Sequence, residues 1–137
     1  MDSIIRMGRS EWGPGPWEDE PDEDTWTDKA TGLPCHACRS RLGAWCGYVQ
    51  VPDGHSWHGL DFGDEALWDV QVHWGPTFSG PMRDAEGWWL GFDCAHLHDL
   101  VPAYQYDDDC TYRTLGYVRR QCANLARQIA EVPRATD

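Results

Sequence analysis

Five side chains able to bind a metal or move a proton fall within seven residues: Asp93, Cys94, His96, His98 and Asp99. They follow directly on the hydrophobic run Gly87 to Phe92 (GWWLGF). A sheet fixes the side chains at a strand end, and the turn that follows can fold its own side chains back toward them. That arrangement suits metal capture or a Cys/His nucleophile pair. Asp93, His96 and Asp99 are therefore the candidate catalytic residues, with Asp93 able to orient a histidine as outer carboxylates do. No HExxH, GxSxG or Walker-type motif accompanies them. The alternative is structural: Cys94 packs in the core, Asp99 caps a turn and the histidines lie at the surface.

Two further groups carry ligand chemistry. Leu67 to Trp74 alternates, with Trp68, Val70, Val72 and Trp74 on one side and Asp69, Gln71 and His73 on the other. If this run pairs with residues 87–93 as a hairpin, Asp69 opposes Asp93, Gln71 opposes Gly91 and His73 opposes Trp89. Facing carboxylates repel unless a metal or a shared proton compensates. Hence His73, Asp93 and His96 form a candidate site for a divalent metal such as zinc, against the alternative of a solvent-facing polar surface. Separately, Cys35-His36-Ala37-Cys38 has the spacing of half a zinc site. Cys46 lies eight residues on, and Cys94 with His96 could close the set, so Cys35, Cys38 and Cys94 are the alternative, structural zinc set. Free thiols are the competing state. His55 and His58 flank Trp57 in a turn-rich loop, and His55, Trp57, His73 and Trp89 are the candidate binding side chains.

The elements that must position these groups can be read from periodicity. Residues 44–52, 67–74 and 87–93 read as strands, the last with Trp88, Leu90 and Phe92 on one face and Trp89, Gly91 and Asp93 on the other. From about Thr111 to Glu131 the residues Leu115, Val118, Cys122, Leu125 and Ile129 recur at helical spacing. Asp107, Asp108, Asp109 and Thr111 are expected to cap this helix, and Pro133 to stop it. The expected fold class is α+β: a small antiparallel sheet packed against one C-terminal helix, with an extended acidic N-terminal arm. The arm covers residues 1–30, a single α+β domain residues 31–132, and a tail residues 133–137. Proline, glycine and the acidic run from Glu18 to Asp24 oppose regular structure in the arm. Trp12, Trp17 and Trp26 are expected to pin it to the domain.

Composition narrows the function classes. The chain has 137 residues, a formal net charge of −12 and nine tryptophans. Residues 1–30 hold nine acids against three bases, and residues 31–110 twelve against three. Only from residue 111 onward does the balance reverse, to five arginines against two acids. Direct nucleic-acid binding, which needs a basic face, is not expected. An acidic surface suits a partner with a basic one. No apolar run has the length of a signal-peptide core or a membrane span, so a cytoplasmic protein with reduced cysteines is expected.

Several strings carry a family resemblance: Gly15-Pro16-Trp17-Glu18-Asp19-Glu20-Pro21, Thr31-Gly32-Leu33-Pro34-Cys35, Trp45-Cys46-Gly47-Tyr48-Val49 and, most specific, Trp88-Trp89-Leu90-Gly91-Phe92-Asp93-Cys94-Ala95-His96. Over roughly residues 15–131 the chain resembles a family of small uncharacterised bacteriophage and prophage proteins. Two positions depart from that pattern, where glycine is expected and this chain has Trp74 and His98. The resemblance implies a phage accessory protein acting in the host cytoplasm, and it implies no catalytic residues. The expected function is binding. The protein would be an inhibitor or decoy of a host defence protein with a basic surface, or would sequester a small-molecule ligand in a Trp-lined pocket. The alternative is a metal-dependent or Cys/His hydrolase acting on a nucleotide-like small molecule.

Overall fold

The computed structural model describes residues 9–83, 85–104 and 109–132. Five antiparallel strands form one sheet: β1 (Glu23–Thr27), β2 (Pro34–Arg39), β3 (Trp45–Val51), β4 (Phe78–Met82) and β5 (Ala85–Asp93), in the order β1-β2-β3-β5-β4. One helix, α1 (Leu115–Glu131), crosses a single face of that sheet, packing on β3 and β2. The fold is the expected α+β arrangement. The expected strands at 44–52 and 87–93 are β3 and β5. The helix buries Val118, Cys122, Leu125, Ala126 and Ile129. They meet Cys35, Ala37, Val49, Leu90 and Phe92 from the sheet. Gly47 makes room for this contact, since a Cβ there would lie 2.5 Å from the Phe92 ring.

The segment 67–74 is not a strand, and the expected pairing of Asp69, Gln71 and His73 with β5 does not form. β5 is flanked by β3 and β4, which place Tyr48 and Phe78 opposite Gly91, and Cys46 opposite Asp93. The alternation in 67–74 has another cause. Leu67, Val70 and Val72 dip into the core while Trp68 and Trp74 stay outside. Helix side chains supply the hydrogen bonds a neighbouring strand would give. Gln71 N–H donates to Gln128 Oε1 (2.8 Å) and His73 N–H to Gln121 Oε1 (2.9 Å). The Gln71 carbonyl accepts from Asn124 Nδ2 (2.6 Å) and Gln128 Nε2 (2.8 Å).

The helix start also differs from expectation. Thr114 is the N-cap, its hydroxyl accepting from Tyr117 N–H at 3.1 Å. Thr111 instead bridges to Asp99. Asp107, Asp108 and Pro133 lie outside the described residues. At the other end, the buried His55 places Nε2 2.7 Å from the Ile129 carbonyl.

The acidic arm is built into the domain. Its last part is β1, and Trp12 and Trp17 are buried. The reason is Arg39, an inward-pointing residue at the end of β2 whose side chain is 0% exposed. A buried guanidinium must be paired and fully hydrogen-bonded. Asp22 and Glu20 accept from its Nε and Nη2 at 3.2 and 3.1 Å. The Gly43 carbonyl and Tyr112 hydroxyl take Nη1 at 2.8 and 2.9 Å. The rings of Trp45 and Trp12 lie 4.3 and 5.5 Å from its central carbon, within cation–π range. Glu20 also accepts the Leu115 N–H at 2.8 Å, so the same carboxylate satisfies an orphan donor at the helix start. Burial alone would raise the Glu20 carboxyl, but donors from Tyr112, Leu115, Trp45 and Arg39 outweigh it and hold it below its ordinary value.

Arg39→Met is expected to leave Glu20 without its cation and Asp22 with Arg9 alone, and to lower the unfolding free energy by about 3–5 kcal/mol, measured by urea denaturation. Because the folded Glu20 carboxyl is depressed, its contribution is present above the unfolded value of about 4.3 and fades as pH falls through the depressed one. Glu20→Gln should therefore flatten the acid limb of the stability–pH curve.

Candidate functional site

In the turn after β5, Asp99 meets His73 and the His96 backbone, and Tyr117 on the helix and Arg113 just before it are two partners that the sequence did not assign to a site. Asp99 is 2% exposed and collects three donors. His73 Nε2 lies 2.9 Å from Oδ2, Arg113 Nε 2.9 Å from Oδ1, and the His96 N–H 3.0 Å from Oδ2. Burial would raise this carboxyl, but the bonds from His73, His96 and Arg113 hold it below its usual range. Asp99 is thus an anion at neutral pH, and His73 carries its ring hydrogen on Nε2. The other ring nitrogen, Nδ1, then accepts from the Tyr117 hydroxyl at 2.6 Å. Arg113 lies over the Tyr117 ring, 5.0 Å from its centroid. A continuous chain results: phenol, imidazole, carboxylate, guanidinium.

Asp93 and His96 sit beside this chain without joining it. Asp93 accepts from Thr77 Oγ1 at 2.9 Å and from Ala95 N–H at 3.1 Å. His96 Nε2 is 3.0 Å from Asp93 Oδ1 but out of hydrogen-bonding alignment, and it is enclosed from solvent. The His96 ring stacks on Trp74, 5.2 Å away with 15° between planes, and lies 6.2 Å from the His73 ring. Both positions that depart from the expected glycines are strained. Trp74 (φ 57°) and His98 (φ 71°) hold left-handed backbone conformations, which cost a non-glycine residue about 1–2 kcal/mol. His98 lines a cavity of about 270 Å³ with Ser40, Leu42, His96, Val101 and Tyr104.

The remaining candidates do not converge. Strand alternation sends Cys35 toward α1 and Cys38 to the opposite face, where it pairs across the ladder with Cys46. Cys94 is 2% exposed, and burial pushes its thiol far above the ordinary value, so it remains S–H rather than a thiolate. Burial likewise pushes Cys35 up to about 12. Among the described residues no three His, Cys, Asp or Glu groups are placed to hold a metal, so neither His73, Asp93 and His96 nor Cys35, Cys38 and Cys94 forms a centre. His55 accepts from Trp57 N–H at 2.9 Å and serves the helix end, with Trp57 packed half-buried against the core. Trp89 is buried on the far face of the sheet, its indole N–H on the Glu86 carbonyl at 3.1 Å.

Sequence reasoning missed Tyr117 and Arg113. A signal was present: Arg113, Tyr117, Gln121, Asn124 and Gln128 recur every three to four residues beside the apolar stripe, and each touches Asp99 or the 71–73 segment. Comparison with protein-family models, curated proteins and solved structures found no match. Among the described residues no helix is long and apolar enough to cross a membrane.

His98→Gly should relieve the left-handed strain and raise the unfolding free energy by about 1 kcal/mol. Tyr117→Phe leaves His73 Nδ1 without its donor and should lower it by about 1–2 kcal/mol, both read from urea melts.

Proposed function

We propose that the protein is a phage-encoded accessory protein that acts in the host cytoplasm by binding, as an inhibitor or decoy covering a basic surface of a host protein. The phage origin rests on the sequence resemblance. The observation that carries the binding reading is an acidic stretch with two exposed tryptophans. Trp68 and Trp74 are 72% and 57% exposed, and no lysine or arginine occurs from residue 42 to residue 82.

The arm is a poor contact element, because Glu20, Asp22 and Asp24 are engaged by Arg39 and Arg119. The loop 61–69 serves better. Asp61, Glu65 and Asp69 are exposed, Phe62 is 40% exposed, and Asp64 caps a short 3-10 turn through the Ala66 N–H. The Trp68 indole N–H donates to the Gly63 carbonyl at 3.0 Å, which fixes the ring before any partner arrives. A pre-set aromatic anchor ringed by carboxylates loses little side-chain entropy on docking against a cationic surface. The hydrolase reading has less support, given the buried Cys94 thiol and the absence of a ligand trio among the described residues.

The test is affinity capture of host proteins, followed by titration calorimetry of the retained partner at rising salt. Trp68→Ala should raise Kd tenfold or more, and Glu65→Gln with Asp69→Asn should flatten the salt dependence. A wild-type affinity indifferent to salt, or unchanged in Trp68→Ala, would overturn the reading.

A further inference from the structure

The relay at the start of α1 has the parts of a nucleophile site, independently of the Trp68 surface. A nucleophile–base–orienter set is recognised by geometry: a hydroxyl within hydrogen-bonding reach of a base that a third group holds in place. Tyr117 Oη lies 2.6 Å from His73 Nδ1, and the opposite ring nitrogen lies 2.9 Å from a carboxylate oxygen of Asp99. Asp99 and His73 are buried, whereas Tyr117 is half-buried at the surface. The base is therefore shielded, while the Tyr117 side chain is partly open to solvent.

The surroundings select the substrate. Arg113 gives Asp99 only its Nε, and its terminal amino groups make no hydrogen bond to the described residues. Arg120, exposed one turn beyond Tyr117, forms no ion pair among the described residues, and its Nη1 lies 3.6 Å from where a Cβ on Gly116 would sit. One guanidinium over the phenol ring and a second one turn further along the helix suit an anionic tetrahedral group. Acyl transfer fits less well, because two of the backbone donors at this helix start are already engaged: Leu115 N–H by Glu20 and Tyr117 N–H by Thr114.

We propose that Tyr117 is a nucleophile toward phosphate diesters, with His73 as its general base, Asp99 orienting His73, and Arg113 and Arg120 balancing the phosphoryl charge. The phenol oxygen bonds to phosphorus as the bond to the ester leaving group breaks. The phenol proton passes to His73 Nδ1, and the imidazolium returns it to the departing oxygen. No oxidant or metal is required for the balance. Burial, only partly offset by Arg113, holds the phenol above its ordinary value, so the proton must leave as the new bond forms.

The probe is bis(4-nitrophenyl) phosphate, incubated with the full chain while nitrophenolate release and intact protein mass are followed. The expected result is one equivalent of nitrophenolate and one nitrophenyl-phosphoryl adduct, located on Tyr117 by peptide mapping. Tyr117→Phe should give no adduct, and His73→Gln should slow its formation about a hundredfold. Arg120→Gln, at an exposed position outside the relay, should slow it roughly tenfold without moving the thermal midpoint. The proposal is overturned if no adduct forms, if it maps to another residue, or if a folded His73→Gln protein, judged by circular dichroism, reacts at the wild-type rate.

Discussion

A guanidinium with no solvent exposure organises this molecule. Arg39 points into the interior from the end of β2, where an unpaired charge would be untenable. Its satisfaction recruits three parts of the chain: Glu20 and Asp22 from the arm, the Gly43 carbonyl from the β2–β3 turn, and Tyr112 from the approach to α1. Trp12 and Trp45 close over it. Through Glu20 the same cluster sets the first turn of the helix. The acidity of residues 18–24 thus has a structural origin in part, and the arm is held by electrostatics as much as by its aromatic rings.

The helix has two working faces. One is the apolar stripe that covers the sheet. The other is a row of polar side chains that grips the 71–73 segment and, through Tyr117, the His73 ring. Because that segment is tied to the helix, His73 is brought to Asp99 rather than to Asp93. The relay and the neighbouring stack of Trp74 on His96 therefore depend on α1, although all their residues but Tyr117 come from loops.

Much of this was legible in the residues. β3, β5 and α1 follow from strong periodicity, and His73, His96 and Asp99 do belong to one cluster. What failed has physical causes. β2 presents small inward residues, Cys35 and Ala37, which carry little hydrophobic signal. β1 is acidic because it is an edge strand, with Asp24 and Trp26 held by Arg119. β4 includes Gly80 and Pro81, which an edge tolerates. The 67–74 run imitated a strand because its backbone partners are side chains, which no periodicity reveals. Tyr117 lay in a polar stripe that reads as solvent-facing until something docks on it.

Strand pairing is largely indifferent to sequence, since any residue but proline offers the same N–H and carbonyl to its neighbour. The lattice joining α1 to residues 71–73 has no such tolerance. It works only while glutamine and asparagine occupy Gln121, Asn124 and Gln128, each at the right height along the helix. A drift at any of these positions loosens a loop some fifty residues away in the chain. The two segments are coupled through three side chains, even though neither resembles the other and no ladder joins them.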